Sequence, residues 1–165
     1  MSIFRTLLPS TLFALAALQS SVSAADEAIS WSAEEQAIIA RMESIATDLP
    51  NKGWNAYVDY FAEGYDNWIM TSETIRGREQ FISLVRGWYD DGNGASSAEV
   101  VPLSIDFLGS NFAYVRSHEN ETFFGPNADE GRKRFEGFKA SVWKKEDDGV
   151  WRVYRTSLVP VNNGE

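Results

Sequence analysis

The sequence predicts an α+β fold: three N-terminal helices packed on a strongly bent antiparallel sheet. Two observations predict it. Up to Trp88, apolar residues recur at helical spacing. After the break Asp91-Gly92-Asn93-Gly94 the period changes, and four β-type segments follow, separated by turn signals. Helices first and a strand meander afterwards is the order of an α+β domain.

The first 24 residues read as an address. One positive charge, Arg5, precedes an almost wholly apolar run over residues 7–18, and Val22-Ser23-Ala24 supplies small residues before a cut at Ala25. That is the three-part pattern of a secretory signal peptide, too short and too interrupted by Pro9 for a comfortable membrane span. Residues 1–24 are therefore expected to be removed. Residues 25–165 are expected to form one domain, periplasmic or secreted, with no membrane contact after cleavage.

Within that domain, Ser32-Ala33-Glu34-Glu35 has the residues of a capping box, and Ile38, Ile39, Met42 and Ile45 follow on one helical face. Asp48-Leu49-Pro50 is expected to stop this helix. A second helix is expected over residues 51–62, with Trp54, Tyr57, Val58 and Phe61 on one stripe and Gly64 as its stop. Residues 65–70 read as a short strand that turns at Thr71-Ser72-Glu73 and returns through Thr74-Ile75-Arg76. A third helix over residues 78–89 shows Phe81, Ile82, Leu84, Val85 and Trp88. Residues 100–108, 112–124, 134–145 and 151–161 are the β segments. Gly109-Ser110-Asn111 and Asp147-Asp148-Gly149 are tight hairpin signals.

Composition removes several function classes. Cysteine is absent, which excludes disulfides, thiol nucleophiles and thiolate metal sites. With a single histidine, His118, no metal site and no cofactor are expected. A net charge of −9 opposes nucleic-acid binding, which needs a basic footprint.

Three local patterns carry a family resemblance. They are Ile75-Arg76-Gly77-Arg78-Glu79, Asn111-Phe112-Ala113-Tyr114-Val115-Arg116, and Ser141-Val142-Trp143-Lys144-Lys145 followed by Gly149-Val150-Trp151-Arg152-Val153. In this order of elements the chain resembles the nuclear transport factor 2-like superfamily, and within it the SnoaL-like group. The resemblance runs over residues 32–160. It implies a cone-shaped half-barrel with a pocket between the concave sheet face and the helices, and a convex face that often makes a homodimer. Its members include isomerases, dehydratases and non-catalytic binding modules, so the pocket residues must choose the chemistry.

Strand alternation puts Tyr114, Arg116, His118 and Asn120 on one face of residues 112–122 and Ala113, Val115, Ser117, Glu119 and Glu121 on the other. In the related calcium/calmodulin-dependent kinase association domain the arginine matching Arg116 points into the pocket, which by resemblance makes the first set the lining. Arg116 would then grip a carboxylate or carbonyl ligand, and His118 would carry protons as the catalytic group. Arg155, on a face with Trp151, Val153 and Ser157, is a second candidate cation; SnoaL-like relatives often line the cavity at such positions. Tyr57 and Trp68 complete the expected ligand-binding set with Tyr114, Arg116 and Arg155. Steroid-isomerase-like relatives carry an acidic base after the first short strand, and Trp68-Ile69-Met70-Thr71-Ser72 has none. The expected function is binding of a small organic molecule, anionic or carbonyl-bearing, with acid/base chemistry where catalysis occurs; the alternative is a non-catalytic dimeric binding or assembly module.

Overall fold

The computed structural model describes residues 30–70, 72–126 and 132–161. The expected signal peptide lies outside them. The unit that carries every element spans Trp31–Glu165. The order is α1 (Ala33–Lys52), a 3-10 turn (Gly53–Asn55), α2 (Ala56–Tyr60), β1 (Phe61–Ile69), β2 (Ile75–Gly77), α3 (Arg78–Asp90), β3 (Gly94–Phe107), β4 (Phe112–Phe124), β5 (Arg132–Lys145) and β6 (Trp151–Pro160).

Helix α1 starts as its residues require. The backbone N–H of Ser32 donates to Glu35 Oε2 at 2.6 Å, and the Glu35 N–H donates to Ser32 Oγ, so two free helix-start donors are satisfied reciprocally. The helix then runs through Pro50, where a stop was expected. Proline leaves one carbonyl of the preceding turn without its donor. The next turn is nevertheless held, because Asn51 Nδ2 donates to the Thr47 carbonyl at 2.8 Å and the Gly53 N–H to Leu49. The break comes instead at Gly53, whose φ of +58° is a left-handed conformation that glycine adopts without penalty.

That displacement corrects the three-helix expectation. Among the described residues only α1 and α3 are long helices; the expected helix over 51–62 is reduced to the 3-10 turn and the five residues of α2. The reason lies at Phe61, which pairs with Val153 and so enters the sheet while the apolar stripe still reads as helical.

A second correction concerns the sheet. Its order is β2-β1-β6-β5-β4-β3, open at β2 and β3. All neighbours are antiparallel except β1 and β6, which run parallel. Helix α3 carries the chain from β2 to the far edge at β3. The meander then returns strand by strand and ends beside β1. Hydrophobic period reveals strands but not partners, so this closing pair was not readable as parallel.

The core forms where α1 lies on the sheet. Ile38, Met42, Ile45 and Leu49 are buried against Ala113 and Val115 of β4, Trp143 of β5, and Trp151 and Val153 of β6. At the helix start, Lys145 Nζ and Trp151 Nε1 donate to the Glu34 carboxylate at 3.0 and 3.1 Å, tying α1 to the last hairpin. The hydrogen bond from Lys145, then that from Trp151, holds the Glu34 carboxyl below its ordinary range.

Candidate functional site

The helix-facing side of the sheet is set by β4. Ala113, Val115, Ser117 and Glu119 are buried in turn, and Glu121 continues the row half-buried. Register brings Ser141 opposite Val115, Lys139 opposite Ser117, and Gly137 opposite Glu119. Lys139 therefore stands diagonally across from Glu119, and its Nζ meets Glu119 Oε2 at 2.5 Å. Burial alone would lower the lysine's pKa. The charge and hydrogen bond of Glu119, helped by Glu121, more than reverse this and hold the ammonium above its ordinary value.

Glu121 has a different environment. Among the described residues its carboxylate makes no hydrogen bond and no ion pair. Burial, and then repulsion from Glu119, push its pKa up to about 7, with Lys139 opposing. A carboxyl group of this kind is part protonated near neutrality and can give or take a proton there.

A cavity of about 30 Å³ lies between these charges and the helices, walled by Tyr57, Tyr60 and Phe61 with Ile45, Leu49 and Val100. That is room for about two water molecules. Its aromatic wall is a stack. Tyr57 lies on Phe61 at 5.3 Å and Phe61 on Tyr65 at 3.8 Å, with nearly parallel rings in each case, while Phe81 of α3 sits edge-on to all three. Burial raises the Tyr57 and Tyr60 hydroxyls well above their ordinary pKa, so both stay protonated as donors. Burial likewise takes Tyr65 to about 12, against hydrogen bonds from Thr156 and Asn67. Asn67 is 4% exposed, and its Oδ1 finds no donor among the described residues.

Tyr57 is thus the one sequence-expected ligand residue at this cavity. The others lie on the opposite face. Arg116 is 58% exposed at its side chain; its Nε donates to Ser104 Oγ at 2.7 Å and its guanidinium lies 3.9 Å from Asp106. His118 Nε2 is 2.9 Å from Glu136 Oε1, with its ring 4.9 Å from that of Phe138. Tyr114 sits in the same outer row, between Asp106 and Val142. Trp68 donates its Nε1–H to the Ser72 carbonyl at 2.7 Å and is partly exposed. Arg155 pairs with Asp66 at 3.0 Å.

The expected inward orientation of Arg116 and His118 is corrected for a physical reason. The compact residues Ala113 and Val115 fit beneath α1 beside Trp143, whereas the alternate row would press an arginine and an imidazole into that apolar contact. For Arg155 the cause is a bulge. The register shifts between Val142 and Trp143, where Val142 faces Arg155 and Trp143 faces Val153. One extra residue inverts the alternation, so Trp151 and Val153 point inward while Arg155 and Ser157 point outward.

Glu119, Glu121 and Lys139 escaped the sequence reading because carboxylates in a strand usually face water. A signal for them exists. The β4–β5 pairing sets Lys139 opposite Ser117, and so diagonal to Glu119 on the row of Ala113 and Val115.

No protein-family model and no curated protein sequence matches the chain. Solved structures do. A scytalone dehydratase-like protein from Novosphingobium aromaticivorans superposes with a TM-score of 0.67 at 20% identity, covering 78% of this chain and 84% of that one. A ketosteroid isomerase-like protein from Erwinia carotovora atroseptica gives 0.64 at 13% identity, over 80% and 99%. A nuclear transport factor 2-like protein of unknown function from Prochlorococcus marinus gives 0.65 at 16% identity, over 81% and 97%. The chain has the nuclear transport factor 2-like fold. In this chain the cavity lies between α1, α2 and the helix-facing side of the sheet, and its charged groups come from β4 and β5.

Proposed function

We propose that the chain is an exported, SnoaL-like domain that binds a small organic molecule at the inner cavity and exchanges a proton with it through Glu121. The observation that carries this reading is the Glu121 carboxyl, half-buried at a cavity, without a partner among the described residues and titrating near neutrality. Tyr57 and Tyr60 are protonated donors beside it, suited to a carbonyl or hydroxyl oxygen. Lys139, already paired with Glu119, holds the site's charges in place. The scytalone dehydratase-like and ketosteroid isomerase-like neighbours support a ligand-binding half-barrel. The signal-peptide pattern of residues 1–24 supports export.

Thermal unfolding with a panel of small ketones, alcohols, amines and carboxylates tests the reading. At least one compound is expected to raise the wild-type midpoint, and Glu121→Gln or Tyr57→Ala to abolish the rise. Arg116→Ala is expected to keep it, because Arg116 lies on the outer face. Loss of the response in Arg116→Ala alone would move the ligand to that outer face.

One observation favours a dimeric module as a second reading. Leu103, Phe138 and Val159 are 46–49% exposed around an outer-face trough of about 180 Å³ floored by Ala140 and Ser157. At its margins Arg116 is matched by Asp106 and Arg155 by Asp66. A chain of net charge −9 repels its copies least where charges balance. Sedimentation is expected to show a homodimer at micromolar concentration and Phe138→Asp to give the monomer; a wild-type monomer would contradict use of this face.

A further inference from the structure

The charge balance of the inner cavity selects among ligand classes. It holds two carboxylates, Glu119 and Glu121, and one ammonium, Lys139. The ammonium is already taken by Glu119. The arginines that would have held an anion, Arg116 and Arg155, lie on the outer face and are occupied by Asp106 and Asp66. Glu121 is left as an acceptor in search of a positive donor. Elsewhere on the same sheet face, outside the cavity lining, Asn67 Oδ1 is a further buried acceptor with no donor among the described residues. The wall is aromatic, formed by Tyr57, Tyr60 and Phe61, and adds no positive charge to the cavity.

We infer that the ligand of this cavity carries a protonated amine, which Glu121 takes as its counter-ion, and that carboxylate ligands are turned away. The inference rests on the binding reading above and adds the charge class. The proton moves simply. A free amine meeting protonated Glu121 takes the proton from the carboxyl oxygen onto its nitrogen, giving the same ammonium–carboxylate pair as an ammonium meeting the ionised acid. The volume of about 30 Å³ admits the ammonium and its first carbon. The rest of the molecule lies toward the exposed edge of Glu121, where Tyr89 of α3 feels its charge.

The groups that face Glu121 are Glu119 from its own strand, Lys139 from β5, Tyr57 and Tyr60 from α2 and Tyr89 from α3. Lys139 and the three tyrosines do not change charge between pH 6 and 8, since each is held above its ordinary value. Binding of an amine that stays protonated over this range should therefore follow the ionisation of Glu121. With a midpoint near 7 the ionised fraction rises from about one-tenth to about nine-tenths, an affinity gain of about tenfold.

Isothermal calorimetry with benzylamine, benzyl alcohol and benzoate, at pH 6 and pH 8, tests this on the full chain and on Glu121→Gln. Benzylamine is expected to bind tightest, to gain about tenfold from pH 6 to 8, and to lose both its preference and its pH dependence in Glu121→Gln. Far-ultraviolet dichroism on the variant checks that it is folded. Benzyl alcohol binding as tightly as benzylamine, without pH dependence, would overturn the ammonium inference and leave the binding reading standing. Benzoate binding tightest would overturn it too. Failure of all three compounds to bind would remove the inference and the binding reading together.

Discussion

Lys139→Met is expected to destabilise the protein by about 3–5 kcal/mol at pH 7, the cost of leaving a buried charge without its partner. Glu119 is 4% exposed and meets Lys139 at 2.5 Å, and the other charge at the cavity, Glu121, is of the same sign. Methionine fills much the same volume, so the loss is electrostatic and not a cavity effect. Two results follow from that cause. The deficit should shrink as acid protonates the stranded carboxylates, and the double variant Glu119→Gln, Lys139→Met should recover most of it. Urea unfolding of the single and double variants measures both. A single variant within about 1 kcal/mol of wild type would mean that water reaches this pair and that the inner face is not dry.

Glu121→Gln should act in the opposite direction. The folded protein holds this carboxyl's proton until about pH 7, whereas the unfolded chain releases it at the ordinary value of 4.5. Between those limits the folded state binds the extra proton, so stability falls as pH rises through the window. Below about 4.5 both states are protonated and the group contributes nothing. Above 7 the penalty is full and constant, about 1–3 kcal/mol after allowance for its partial contact with water. Glutamine keeps the shape and abolishes the penalty. The variant is therefore expected to be more stable than wild type at pH 8 and equal to it at pH 4. The paired carboxylates do not confuse this window. Asp59, Asp148, Glu34 and Glu35 are held below their ordinary values, so their contributions are lost only in stronger acid. Denaturant melts of both proteins from pH 4 to 8 give the difference directly.

Much of the fold was legible because local signals were strong. The capping box at Ser32, the helix from Arg78, and the strand Phe112–Phe124 stand where the residues put them. What could not be read depended on partners distant in sequence. Gly53 breaks the first helix where its backbone lies against the ring of Tyr89, which an added Cβ would meet at 3.2 Å. Phe61 is strand because Val153 is its neighbour. The candidate site suffered most from this. The two faces of β4 are nearly balanced in sequence, and Arg116 and His118 look the more chemical pair. Burial decides otherwise, since α1 covers the row with the compact side chains. His118 also proves less solitary than its sequence context suggests, having Glu136 beside it across the sheet. Of the expected ligand residues only Tyr57 lies at the cavity, because its stripe on the helix-to-strand junction is the same whichever face of β4 turns inward.

The inner site depends on whether Glu121 is held from water without a counter-ion. Carbon-13 detection of its side-chain carboxyl through a pH titration, assigned by the loss of the signal in Glu121→Gln, measures that directly. A midpoint near 7 is the expected result. A midpoint near the ordinary 4.5 would show a solvated carboxylate, and the inner cavity would lose its claim as the functional site.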